Sequence, residues 1–112
     1  MLGNVVRDSM SGGGNHFSTT EMLIGTYNGA PLYRQMVAVS SFPNATSKTI
    51  SYSSSGKNVI NVWGFMQGGY TFQIPSGSDL VWYEKGSGTI FITCTANRSA
   101  LSGYIVLEYT KT

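Results

Sequence analysis

The 112-residue chain holds five carboxylates, Asp8, Glu21, Asp79, Glu84 and Glu108, with one histidine, His16, and one cysteine, Cys94. Glycoside hydrolysis needs two carboxylates facing one bond. No spacing among these five sets up such a pair, and Glu84 and Glu108 are expected on the solvent faces of strands. A Ser-His-Asp relay would have to recruit His16 from a glycine-rich stretch. Cys94 lies in the apolar run "TIFITCT" and reads as a small buried hydrophobe. A metal centre lacks the His and Cys it would need. "GSGTIF" and "SGGGN" are rich in glycine but lack the helix and lysine of a phosphate loop, so they read as turns. The sequence therefore assigns no catalytic residue, no metal ligand and no cofactor.

Aromatic side chains are the remaining chemical resource, at 12% of the chain with seven Tyr and two Trp. A flat ring suits the C–H face of a pyranose, and the competing use is packing in the core or between subunits. Trp82 and Tyr83 are neighbours in a strand and point to opposite faces, so at least one is expected to leave the core of its own subunit. The candidate saccharide contacts are Tyr70, Trp82 and Tyr83 for stacking, with Asp79 and Asn97 as hydrogen-bond partners from adjoining turns. Asp79 precedes the Trp82 strand and Asn97 follows "TIFITCT", which would bring both to one pole, where loops cluster and sites form.

These residues need a scaffold, and its class is legible. Charged residues are only 11%, against about 25% in an average globular chain. Glycine, serine, threonine and asparagine fill the gap, which suits twisted sheets and tight turns. Residues 1–18 read as a leader, with "SGGGN" as a flexible hinge. Its "VVRDSM" segment either pairs with something or has no fixed structure. From residue 19 to 112, turn-bounded runs follow one another: "EMLIGTY", "LYRQMVAVS", "KTISYS", "VINVWGFM", "YTFQIP", "LVWYEK", "TIFITCT" and "SGYIVLEYTKT". Asn28-Gly29 is a two-residue hairpin signal. No run has a helical period. The expectation is an all-β, antiparallel, jelly-roll-like β-sandwich of about eight strands. Its closing strand, with Tyr104, Ile105, Val106, Leu107 and Tyr109, is expected to lie inside a sheet.

Composition also bears on partners. The seven Lys and Arg form no basic stripe, so no nucleic-acid partner is expected. No apolar run approaches the roughly 18 residues that span a membrane, so no insertion is expected. The first ten residues lack the apolar centre of a signal peptide. "NAT" at Asn44 and "NRS" at Asn97 match glycosylation sequons only formally. Low charge, together with a "VINVWGFM" strand apolar on both faces, favours self-association.

Two stretches carry a family resemblance. "STTEMLIGTYNGAPLYRQMV" (18–37) resembles the "xxGxWxDGKPxYRKxI" signature of a module in phage and prophage tail-fibre and tail-tip proteins, with Glu21, Gly25, Thr26, Gly29, Pro31, Tyr33 and Arg34 in order. Tyr27, Asn28 and Ala30 stand where that module has Trp, Asp and Lys. "NRSALSGYIVLEYTKT" (97–112) is similar to its "DRSxxxxYVTLEYTKT". The resemblance implies a non-enzymatic receptor-binding component of the virion tail. It would assemble as a homo-oligomer, usually a trimer, and meet other phage tail proteins and a host-surface glycan. It also implies that the matched residues mark the fold, with Arg34 and Arg98 bridging loops to the sheet. Two alternatives stand beside it: a structural cap that locks a fibre trimer, and a free-standing bacterial carbohydrate-binding module.

Overall fold

The computed structural model describes the backbone of Val5–Arg7 and all of residues 17–112. The elements are β1 (Val5–Arg7), β2 (Met22–Tyr27), β3 (Ala30–Val39), β4 (Ser47–Ser51), β5 (Lys57–Gln67), β6 (Thr71–Ile74), β7 (Asp79–Glu84), β8 (Thr89–Cys94) and β9 (Ser102–Lys111). A six-stranded sheet runs β1-β2-β3-β9-β5-β6 and a three-stranded sheet runs β4-β8-β7. All pairings are antiparallel, and the two sheets face each other as a β-sandwich. No helix among the described residues is long and apolar enough to cross a membrane.

Local sequence explains the connections. Asn28 and Gly29 both have positive φ, 50° and 83°, the backbone of a type I′ hairpin, whose twist matches the flanking strands. β6 pairs with β5 only from Gly64 to Gln67 and stops at Pro75, which has no N–H to donate. In "VVRDSM", the choice left open by the sequence falls to pairing at Val5–Arg7, where Val5 opposes Tyr27 and Arg7 opposes Gly25 of β2. Residues 8–16, the "SGGGN" stretch among them, lie outside the described residues. Just after it, the Ser18 carbonyl accepts a hydrogen bond from the Met36 N–H of β3.

The core fills from strand alternation. Ile105 and Leu107 of β9, Met66 of β5 and Val39 of β3 point inward from the large sheet. Val81, Ile90, Ile92 and Cys94 meet them from the small one. Each large apolar side chain buried here is worth about 1.5–3 kcal/mol, a sizeable share of the roughly 5–15 kcal/mol that holds a domain together. β5 and β9 approach so closely that a Cβ on Gly103 would stand 2.0 Å from the Phe65 carbonyl oxygen. The closing strand is therefore central, with β3 on one side and β5 on the other.

Glu108 departs from its expected solvent position and is fully buried on the far face of β9. Its neighbours on both sides close over it. Arg34 of β3 donates to Oε2 through Nε at 3.0 Å and through a second guanidinium nitrogen at 2.7 Å. Asn61 of β5 donates to Oε1 at 3.2 Å. The Phe17 ring lies 4.2 Å from the Arg34 guanidinium and covers it. Arg34 thus joins two strands and seats Phe17, where the resemblance implies a loop-to-sheet bridge.

Removing one partner of a buried pair strands the other charge. Glu108→Ala should therefore lose about 3–5 kcal/mol in a urea melt. A loss below about 1 kcal/mol would show that the carboxylate does not organise the sheet.

Candidate functional site

β7 is an edge strand, and its side chains alternate strictly: Asp79, Val81 and Tyr83 inward, Leu80, Trp82 and Glu84 outward. Trp82 is 44% exposed. It stacks on Phe91, its cross-strand partner in β8, with ring centroids 5.2 Å apart and planes only 6° from parallel. Because Phe91 lies toward the middle of the sheet, it covers one face of Trp82 and leaves the other turned beyond the sheet edge. That free face looks onto a groove of about 380 Å³ lined by Val59, Ile60, Asn61, Val62, Trp82, Tyr83 and Lys85.

The groove exists because β5 has a part-open edge. Among the described residues, Lys57–Trp63 pairs with β9 and with no other strand, since β6 reaches only Gly64. A β-bulge between Val59 and Asn61 adds Ile60 to this stretch. Bulges bend a strand and re-aim its side chains, and they recur beside binding sites. At the groove's end, Lys85 Nζ donates to Asn58 Oδ1 at 3.3 Å.

Tyr83, expected as a stacking face, turns the other way. Its hydroxyl donates to the Tyr52 carbonyl, and its ring meets the Tyr52 ring edge-on at 5.9 Å. Strand parity commits it to packing, and it reaches the groove only as part of the wall. The Tyr52 hydroxyl in turn donates to Gln35 Oε1 at 2.8 Å, and burial pushes its pKa up to about 12.

Of the other three candidates, Tyr70 and Asp79 are joined through Arg98 at the start of β7, and the Asn97 side chain stays within its own loop. Arg98, in the loop between β8 and β9, donates to both Asp79 oxygens at 3.2 and 3.0 Å and to the Tyr70 hydroxyl at 3.1 Å. Tyr70 is 54% exposed and stacks on Phe72 at 5.5 Å, while the Arg98 guanidinium lies 5.0 Å from the Phe72 ring. Asn97 Oδ1 accepts from the Ser99 N–H and hydroxyl. Arg98 does tie a loop to the sheet, as the resemblance implies.

Asp79 is corrected from a surface hydrogen-bond partner to an internal one. It is fully buried, and besides Arg98 it accepts from the Ser76 and Ser78 hydroxyls. Burial alone would raise its pKa, but the hydrogen bonds and charge of Arg98 outweigh that and hold it below the usual carboxylate range. Burial, then the adjacent Asp79 carboxylate, push the Cys94 thiol up to about 12, so it is protonated at neutral pH. No group of three His, Cys, Asp or Glu that could hold a metal is found among the described residues.

Sequence reasoning missed Lys85, and weighed Phe91 only as one of several possible stacking faces, not as the backing of Trp82. That backing was recoverable from the alternation of "TIFITCT" opposite "LVWYEK"; nothing local marks Lys85, because its position depends on the bulge in β5. Comparisons with family models, curated proteins and solved structures return no match for this chain.

The depressed pKa of Asp79 links it to stability. Its contribution is fully present above the unfolded carboxyl value near 4 and is lost as pH falls through the lower folded value. Asp79→Asn should flatten the acid side of the stability profile between about pH 5 and 2, read as urea midpoints. An unchanged slope would mean that the Arg98–Asp79 pair is not coupled to folding.

Proposed function

We propose that this chain is a non-enzymatic binding module of a phage or prophage tail, at the distal end of a fibre or baseplate, and that it contacts saccharide on the host cell surface. The observation that carries the reading is Trp82: a large, half-exposed ring, backed in parallel by Phe91 and facing an open groove. An exposed indole on an edge strand costs hydration free energy unless something covers it. Saccharide is the chemistry that a flat apolar ring beside backbone and amide groups suits best. Tyr70, backed by Phe72 and bonded to Arg98, offers a second exposed ring of the same build. The two sequence stretches similar to tail-tip modules support the setting, and the residues they share sit at structural positions, including Arg34, Glu108 and Arg98.

A homo-oligomer, most simply a trimer, belongs to this reading. The outer face of the six-stranded sheet carries Trp63, Phe65 and Tyr104 in a partly exposed row, with Phe65 and Tyr104 rings 5.7 Å apart. That row also favours the second reading, a structural cap that locks a fibre, in which apolar faces serve only assembly. Three weak sugar sites on one trimer would gain apparent affinity through avidity.

Trp82→Ala should melt within a few degrees of the parent, because the ring is half exposed, and should lose adsorption to host cells or purified envelope glycans. Tyr83→Ala should lose stability instead, by about 3 kcal/mol or more for a packed aromatic. Adsorption that survives Trp82→Ala, with melting unchanged, would favour the cap. Light scattering at micromolar concentration should return a multiple of the 12.1 kDa chain mass; a monomer at every concentration would remove the oligomer from the account.

A further inference from the structure

We propose that the Trp82 groove takes an acidic saccharide residue, with its pyranose ring against the free face of Trp82 and its acid group on Lys85. The inference rests on the saccharide reading above and adds the charge of the ligand.

Three observations converge on Lys85. It lines the same groove as Trp82, so one sugar residue can touch both. It is also shared with an adjoining serine-lined basin, in which the Ser51, Ser53 and Ser55 hydroxyls can donate to acid oxygens, while those of Ser54 and Ser87 already donate to the Lys85 carbonyl and to Glu84. Its ammonium, third, lacks a carboxylate partner among the described residues. The other cations whose side chains are described are engaged: Arg34 with Glu108, Arg98 with Asp79, Lys111 with Glu21. Lys57 lies over the Tyr52 and Tyr109 rings, and Lys48 donates to the Ser41 carbonyl. Lys85 has only the Asn58 amide oxygen at 3.3 Å, longer than the roughly 2.7–2.9 Å of a strong charge-assisted bond. An incoming carboxylate or phosphate ester displaces that contact at little cost.

Glu84 is the countercharge to weigh. It precedes Lys85 on the outer face of β7, and its carboxylate accepts from the Ser87 hydroxyl in the following turn. It repels an acidic ligand weakly, so its removal should act in the opposite direction to removal of Lys85.

The test measures binding of the full chain to three immobilised oligosaccharides of one backbone: a uronic acid form, a phosphorylated form and the neutral parent. The acidic forms, or one of them, should bind several-fold more tightly than the neutral one, and the preference should fade as salt shortens the screening length. Lys85→Met should abolish the preference, bringing the acidic forms down to the binding of the neutral one by the same variant. Glu84→Gln should enlarge it, and Trp82→Ala should weaken all three. Equal binding of charged and neutral forms, or a preference that survives Lys85→Met, overturns the acidic ligand but not the saccharide reading. Binding of none of the three overturns both.

Discussion

One buried carboxylate sets the geometry of the large sheet. Glu108 sits at the centre of β9 with no access to water. A charge taken out of water costs several kcal/mol unless its lone pairs are satisfied. Both oxygens are satisfied, one by Arg34 from β3 and one by Asn61 from β5. Three strands are thereby fixed in one register, since a slip of one residue would turn Glu108 into the apolar interior. Phe17 completes the arrangement by lying over the guanidinium and meeting Trp63 edge-on at 6.1 Å.

The site follows from this register. Asn61 stands opposite Glu108 while Val59 stands opposite Tyr109, so the residue between them, Ile60, has no partner in β9 and bulges. The bulge falls in the stretch of β5 that β6 leaves uncovered. Bulges and lysines are how sheets keep open edges from pairing with other chains, and this edge has a bulge and Lys57. Strand addition is disfavoured there, and a groove remains for a smaller ligand. Its aromatic wall is backed on one face, where Trp82 stacks on Phe91, and such backing is one way to preorganise a contact.

Much of the fold was legible in the sequence, and the reasons are local. Turn chemistry at Asn28-Gly29 and the stop at Pro75 are written in single residues. Strand alternation correctly sent Trp82 and Tyr83 to opposite faces and made the closing strand internal. Residue type misled at two places. Glu108 and Asp79 were expected at or near solvent because carboxylates usually are. Each is buried with an arginine far away in the chain, Arg34 or Arg98, and long-range pairing leaves no local trace. The candidate residues divided for a related reason. Tyr70 and Asp79 do meet, around Arg98, but at the start of β7 and away from Trp82, while the Asn97 side chain bonds only to Ser99 of its own loop. The groove itself depends on where β6 ends relative to the β5 bulge, which no periodicity encodes.

The central claim is that the face of Trp82 turned toward β5 is a binding surface rather than a packing surface. Amide hydrogen exchange on the full chain, with and without purified host-envelope glycan, tests it most directly. The account predicts added protection confined to the groove, at residues 59–62 and 82–85, with β2, β3 and β9 unchanged. Protection that appears only on the outer face of the six-stranded sheet, or glycan binding with the groove amides unaffected, would contradict it.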